Sequence, residues 1–416
     1  MLRFFSLVVL AVLCLWGCQN TNNDTSEVIR VATYNAYLNR SEQGELIKNL
    51  ATPDNLQARK VAEIIQRTAP DVLLLSEFDY DDQGVALTSF QRNYLQVSQN
   101  DAEPIIYPYV YAGPVNTGDP SGIDLDGDGV VATTPGSRSY GGDAFGFGLF
   151  KGQYGMVVLS KFPIDIENVR SFRKFKWADM PGAYLPDNPA TATPNDWYSD
   201  DARAVFRLSS KSHWDVPITV DGETIHILAS HPTPPTFDGD EDRNGKRNHD
   251  ELRLWADYIS PGKAEYLYDD DGIYGGIGVD ARFVILGDLN ADPVDGDSMP
   301  GAISQLLNHG SIASIEPMSE GGVEQSQRQG GANITHAGLA AYDTSDFYDQ
   351  DEGPGNLRLD YVLPSKAGFD VADAGVFWPA QSDLSFELVG DGETVISSDH
   401  RLVWVDLVIE PLAAQN

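Results

Sequence analysis

The chain has 416 residues, of which 42% are hydrophobic, and it includes 7 Trp, 18 Tyr and 17 Phe. This composition can build a packed core, so it excludes a wholly disordered or fibrous chain. The chain has 28 Lys and Arg but 62 Asp and Glu, which gives a formal net charge of −34. Such a charge repels polyanions and attracts metal cations, so we expect no stable complex with duplex nucleic acid.

The first 18 residues have the pattern of an export signal: Arg3 is followed by an apolar run over 7–16, too short to cross a bilayer. The run ends at Cys18 and resembles a bacterial lipoprotein signal, in which this cysteine becomes the lipid-carrying first residue. An ordinary secretory signal is the alternative. We therefore expect an outer-membrane or cell-surface lipoprotein attached to the membrane through Cys18, or otherwise a periplasmic or extracellular protein.

Residues 19–27 form a polar tether, and a single domain is predicted over 28–410 with insertions at about 78–153 and 170–203. Within it, apolar runs predict strands over 29–34, 71–77, 154–160, 204–208, 224–230, 283–286, 359–363 and 401–405. Helical periodicity is found over 55–68 and 251–259. The Gly-, Pro- and Asp-rich stretch from 100 to 147 has no clear period and is typical of surface loops.

Polar residues of matching kinds follow several of these strands: Asn35, Glu77, His231, Asp288 with Asn290, and Asp399 with His400. Carboxylate and amide oxygens are the ligands of hard divalent cations, and histidines are suited to proton transfer. Each Asp or Asn alone is more typical of a turn or a cap. The set as a whole is what indicates a site.

Six motifs carry a family resemblance: Thr33-Tyr34-Asn35, Leu75-Ser76-Glu77, Ser230-His231, Gly287-Asp288-Leu289-Asn290, Leu359-Asp360-Tyr361 and Ser398-Asp399-His400. In this order, over about 31–407, they resemble the endonuclease/exonuclease/phosphatase (DNase I-like) superfamily. The resemblance implies an α+β fold, a four-layer α/β sandwich of two mixed β-sheets flanked by helices. It also implies an active site at one edge of the sandwich.

The same resemblance implies a role for each matching residue. Asn35, Glu77 and Asp399 would bind Mg²⁺ or Mn²⁺, which neutralises phosphoryl charge. Asp288 would activate the attacking water, and Asn290 would hold water or a phosphate oxygen. His400, oriented by Asp360, would donate a hydrogen bond to the phosphate. His231 would either donate a hydrogen bond to the phosphate or act as the acid for the leaving group.

Residues 240–251 match the pattern D-x-[DN]-x-[DN]-G-x₅-E of a calcium loop, with Asp240, Asp242, Asn244 and Glu251 as ligands. Prolines before the loop preclude the usual entering helix. The alternative is a grip on a substrate phosphate by Arg243, Asn244, Arg247, Asn248 and His249, and a solvated loop is the third interpretation. The shorter run 124–129 fits either a weak calcium site or an acidic turn, and the loop at 209–215 fits either an edge loop or the wall of a cleft.

We therefore expect a monomeric divalent-metal-dependent phosphoesterase that hydrolyses a phosphodiester, or a phosphomonoester, with metal-activated water. Its cofactor would be Mg²⁺ or Mn²⁺, with Ca²⁺ also open, and its partner a phosphate-ester substrate. Two alternatives remain: an extracellular nuclease of the same superfamily, and a catalytically silent calcium-binding surface module.

Overall fold

The structure, a computed structural model, describes residues 28–347 and 353–410. The predicted signal, Cys18 and the tether lie outside these ranges. Among the helices of the described ranges, none is both long enough and apolar enough to cross a membrane.

Eleven strands are found in the described residues. They are β1 Val28–Leu38, β2 Val72–Phe78, β3 Tyr109–Tyr111, β4 Met156–Ser160, β5 Arg170–Ser171, β6 His213–Val220, β7 Glu223–Ser230, β8 Arg282–Asp288, β9 Asp360–Pro364, β10 Phe369–Val376 and β11 Val403–Ile409. Six form one sheet in the order β10-β11-β1-β2-β4-β3, and five form the other in the order β5-β6-β7-β8-β9. Each sheet is mixed, because β1–β2 and β7–β8 are parallel pairs and the remaining pairs are antiparallel.

The core between the two sheets follows from alternation along the strands. In β8, Val284 and Leu286 belong to the cluster that contains β1 and β2, whereas Phe283 and Ile285 belong to a second cluster on the other face. Successive side chains of a strand point to opposite faces, so a strand that is apolar at every position must be covered on both sides. The first sheet covers one face of β8 and helices cover the other.

The α-helices of the described chain complete the outer layers. They are α1 Glu45–Leu50, α2 Leu56–Thr68, α3 Val85–Phe90, α4 Arg138–Gly142, α5 Asp200–Val205, α6 Arg243–Tyr258, α7 Ser304–Leu307 and α8 Glu320–Gln329. Helix α2 begins where the Asn55 side chain accepts a hydrogen bond from the Ala58 amide, and it buries Val61 and Ile65 in the first cluster. Helix α6 buries Trp255 in the second cluster. The fold is the four-layer α/β sandwich that was expected.

Most of the predicted elements are confirmed, and two predictions are wrong. Residues 204–208 are not a strand, because α5 occupies Asp200–Val205, with Ser199 as its N-cap and two aspartates in its first turn. The stretch 100–147 is not only surface loop, since it contributes the edge strand β3 and the buried residues Asn116 and Phe145.

A matched pair of leucine substitutions tests the core between the sheets. Leu286→Ala removes a fully buried side chain and should lower the free energy of unfolding by about 2–5 kcal/mol. Leu384→Ala changes a side chain that is 95% exposed and should change it by no more than about 0.5 kcal/mol. Urea denaturation measures both, and equal losses would contradict the assignment of Leu286 to the core.

Candidate active site

The strand ends bring the predicted residues to one edge of the sandwich. The parallel pairing of β1 and β2 sets Asn35 opposite Ser76, next to Glu77. In the other sheet, β8 ends at Asp288, which pairs with Asp360 at the start of antiparallel β9. Because β1 packs against β8 and β9, the two sets of strand ends meet.

Two of the site residues turn the chain sharply where their strands end. Glu77 has φ 57° and Asn290 has φ 52°, both in the left-handed region. Such conformations cost a non-glycine residue free energy and cluster at functional sites.

The carboxylate of Asp288 is the centre of the site. Its Oδ2 accepts a hydrogen bond from Asn35 Nδ2 at 3.0 Å and lies 3.4 Å from His231 Nε2 and 3.7 Å from His400 Nε2. Its Oδ1 accepts a hydrogen bond from the backbone N–H of Asn290 at 3.1 Å. Three polar side chains from different strand ends thus converge on one buried oxygen.

His400 is oriented by a second carboxylate. Its Nδ1 lies 2.8 Å from Asp360 Oδ2, which also accepts a hydrogen bond from Thr344 Oγ1 at 2.9 Å. Burial lowers the pKa of His400, but Asp360 and Asp288 outweigh burial and raise that pKa well above the ordinary histidine value. This arrangement favours a protonated imidazole whose Nε2 faces Asp288.

His231 has the opposite electrostatic environment. Burial, and then the positive charges of Lys211 and His400, lower the pKa of His231 well below its ordinary value. Its Nδ1 is buried without a hydrogen-bond partner. The site therefore pairs a neutral imidazole with a protonated one.

Glu77 and Asp399, beside the two histidines, offer the oxygen ligands that a hard cation requires. Asn39 Nδ2 donates to Glu77 Oε2 at 2.7 Å, and Asp399 Oδ1 is buried without a partner. Burial, and then Asp399, raise the pKa of Glu77 to about 7. A divalent cation would provide the missing partner and favour the ionised carboxylates, so these residues fit a metal ion.

A second possible set of metal ligands is formed by Asp288, Asp360 and His400, whose ligand atoms lie within 4.8 Å of one another. Glu77 and Asp399, with Asn35 beside them, are the set predicted from the sequence, so the site offers two neighbouring sets of possible ligands. In the set of Asp288, Asp360 and His400, the Nδ1 of His400 already contacts Asp360, so the Nε2 that faces Asp288 is the nitrogen available to a metal ion.

The site opens into a cavity of about 1270 Å³. One wall of the cavity contains the predicted site residues Glu77, His231, Asp288, Asn290, Asp399 and His400. The two predicted insertions contribute Arg138, Phe147 and Tyr198, and the loop at 209–215 contributes Ser210 and Lys211.

Three residues of the site were absent from the predicted set: Asn39, Lys211 and Thr344. Asn39 directly follows β1, but the strand was predicted to end at 34, so the rule that selected Asn35 did not reach it. Lys211 belongs to the loop at 209–215, for which the wall of a cleft was one of two interpretations, whereas Thr344 lies in a loop without a motif.

The calcium-loop interpretation of 240–251 is wrong. Residues from Arg243 onward form helix α6, so Glu251 is a buried helical residue and Asp240 is an exposed residue of the preceding turn. The two oxygens of Glu251 accept backbone hydrogen bonds from Ser210 and Thr233, each at 2.6 Å. Asp242 adopts a left-handed conformation before the helix, and the side-chain Nδ2 of Asn244 donates to Thr236 O at 2.6 Å.

The phosphate-gripping interpretation of the same residues stays a prediction, although several of their polar groups already have protein partners. Arg247 donates to the carbonyls of Leu208 and Phe145 at 2.8 and 2.6 Å, and Asn248 donates to Thr233 O at 2.9 Å. His249 packs against Tyr184 with ring centroids 4.6 Å apart, and Arg243 pairs with Glu241. Of the five, Arg243, Asn244 and Arg247 line the cavity.

The run 124–129 keeps both of its interpretations. Asp124, Asp126 and Asp128 present oxygens within 4.8 Å of one another. The amides of Gly127 and Gly129 donate to Asp124 at 2.7 and 2.9 Å, as in an acidic turn.

Comparison with known proteins gives a family match. A sequence profile described as the Endonuclease/Exonuclease/phosphatase family matches residues 32–400. No curated protein matches the chain in sequence.

Three solved structures illustrate the structural likeness. An endonuclease/exonuclease/phosphatase from Beutenbergia cavernae is 17% identical, with a TM-score of 0.49 over 93% of this chain and 73% of the other. Sphingomyelinase C from Streptomyces griseocarneus is 16% identical, with a TM-score of 0.43 over 92% and 99%. The human Nocturnin catalytic domain with bound sulfate is 14% identical, with a TM-score of 0.43 over 92% and 95%.

Substitution of Glu251 separates the observed contacts from a calcium site. Glu251→Ala leaves two buried amides unsatisfied and should lower the free energy of unfolding by about 2–5 kcal/mol, equally in Ca²⁺ and in EDTA. Glu265→Ala, at an exposed position, is the control. Urea denaturation measures both, and a loss confined to Ca²⁺-containing buffer would restore the calcium loop.

Proposed function

The chain belongs to the endonuclease/exonuclease/phosphatase family, and from this premise we propose that it is a phosphodiesterase that uses a divalent metal ion and a water nucleophile. Members of the family hydrolyse phosphoester bonds and use divalent metals. The observation that carries the proposal is the convergence of Asn35, His231 and His400 on Asp288 Oδ2, beside Glu77 and Asp399 in one cavity.

Asn35, Glu77 and Asp399 would hold Mg²⁺ or Mn²⁺. When bound, such an ion neutralises charge on the phosphoryl group and on the leaving oxygen. The side chains around Asp288 would activate the water and bind the phosphoryl oxygens.

Asp288 orients the attacking water and accepts its proton as the water oxygen bonds to phosphorus. The bond from phosphorus to the ester oxygen breaks, and the alcohol leaves as an alkoxide that takes a proton from solvent. The Asn290 amide and Asn35 Nδ2 hold the two oxygens of this carboxylate, which fixes its direction before substrate arrives. A base that is already oriented does not have to reorganise during the reaction.

The two histidines donate hydrogen bonds to the non-bridging phosphoryl oxygens. His400 is held by Asp360 and brings a positive charge, whereas His231 donates as a neutral imidazole. The other role considered for His231, acid for the leaving group, requires a proton that its lowered pKa disfavours. We therefore assign the phosphate-donor role to His231.

Diesters are proposed over monoesters because Ser230-His231 resembles the diesterase branches of the superfamily. Bis-p-nitrophenyl phosphate and p-nitrophenyl phosphate, assayed with Mg²⁺, Mn²⁺ or Ca²⁺ and with EDTA, compare the two classes directly. Faster cleavage of the diester, abolished by EDTA, is the expected result. Cleavage of the monoester alone would contradict the diesterase assignment.

Substitution of the central carboxylate tests the mechanism. Asp288→Ala should lower kcat by at least about a hundredfold, because it removes the base and the partner of both histidines. Asp370→Ala, an exposed position on the edge strand β10, should leave kcat unchanged. Steady-state kinetics on the diester measures both, and equal activity of the two variants would refute the role of Asp288.

We also propose that the protein is exported and anchored by lipid at Cys18. The apolar run over 7–16 followed by this cysteine supports the proposal. Metabolic labelling with a fatty acid should mark the wild type in the membrane fraction, and Cys18→Ala should lose the label. Labelling of the Cys18→Ala variant would refute lipidation at this residue.

A further inference from the structure

Lys211 is a buried lysine in the wall of the catalytic cavity. It is 5% exposed and lies in the loop before β6, in the same cavity as Glu77, His231 and Asp288. The mechanism above assigns it no role.

The ammonium group of Lys211 has too few partners for a buried charge. An ammonium offers three donors, and Nζ makes one long hydrogen bond, to Pro232 O at 3.3 Å. Within the described ranges, no carboxylate lies within 4.0 Å of this nitrogen. Burial of an incompletely paired charge is costly, so the fold keeps this lysine against a free-energy penalty.

The loop that carries Lys211 is held on several sides. The Lys211 carbonyl accepts a hydrogen bond from the backbone N–H of Asn116 at 2.9 Å, and the backbone N–H of Ser210 donates to the Glu251 carboxylate. Gly146 approaches so closely that a Cβ there would lie 2.0 Å from the Ser210 carbonyl oxygen. Arg247 donates to the Ser209 carbonyl at 3.2 Å. These contacts fix the backbone at 209–211 and hold the base of the Lys211 side chain in the cavity wall.

The surrounding charges also indicate what is missing. Burial lowers the pKa of the Lys211 ammonium below its ordinary value, and Glu251, Glu77 and Asp288 oppose that effect electrostatically without pairing with the ammonium. A metal ion held by Glu77 would weaken the attraction between this carboxylate and the Lys211 ammonium. The ammonium would then have less negative charge around it until an anion binds. The anion that enters this cavity in the proposed reaction is a phosphate group.

We propose that the Lys211 ammonium is a phosphate-binding group that donates to a non-bridging phosphoryl oxygen, on the wall shared with His231. This inference rests on the proposed function for the identity of the substrate, but anion binding itself requires no turnover. The chemical class of ligand is a tetrahedral phosphate, free or esterified.

Titration calorimetry with inorganic phosphate, on the full chain with Mg²⁺, tests the site directly. Lys211→Met should raise the Kd of phosphate roughly ten- to a hundredfold, the effect of losing one charge-assisted hydrogen bond. Lys161→Met is the matched control, because Lys161 pairs with Asp71 at 2.9 Å and does not line the cavity. Its phosphate Kd should equal that of the wild type.

Thermal unfolding without phosphate separates ligand binding from a structural role. Lys211→Met should unfold at or above the wild-type temperature, because it removes an under-paired buried charge. Lys211→Gln serves as the second neutral variant if the methionine variant does not fold. A phosphate Kd within twofold of the wild type in a folded Lys211 variant would overturn the proposal.

The outcomes also separate this inference from the proposed function. A wild type that binds phosphate through Lys211 but cleaves no ester would refute the phosphoesterase proposal alone. An active wild type whose Lys211→Met variant keeps both the phosphate Kd and the KM for the diester would refute the role of Lys211 alone.

Discussion

Glu251 lies in helix α6 with its carboxylate fully buried, and each of its oxygens accepts a backbone hydrogen bond from a different loop. One loop, at Ser210, presents Lys211 to the cavity. The other, at Thr233, follows directly after His231. A single carboxylate thus ties together two segments of the cavity wall, and the relative positions of Lys211 and His231 depend on it.

The opposite side of the site is set by strand pairing. The parallel pair β1–β2 delivers Asn35 and Glu77 to one edge, and β8 with β9 delivers Asp288 and Asp360 to the same edge. Because the sheets pack face to face, the hydrogen bond from Asn35 to Asp288 crosses from one sheet to the other. The active site therefore requires both sheets and their packing.

Sequence patterns alone located most of the strands and the polar residues at their ends, because a buried strand is a short apolar run and its polar tip is conspicuous. They gave a wrong prediction where one local pattern is compatible with two different structures. The match at 240–251 has the acids of a calcium loop, yet the same residues also suit a helix that buries Glu251 and Arg247. Buried backbone donors and acceptors compete with a cation for these side chains, and a linear pattern contains no information about them.

The sequence by itself determined the order of most strands along the chain and the residue types at the strand ends, since hydrophobic periodicity is a local property. The fold class came from the resemblance carried by the six motifs. Only the tertiary structure decided that Asp288 would be the point of convergence, that His231 and His400 would have opposite pKa shifts, and that Lys211 would be buried with few partners. These properties depend on burial and on charges distant in the chain, and distance through space is set by packing.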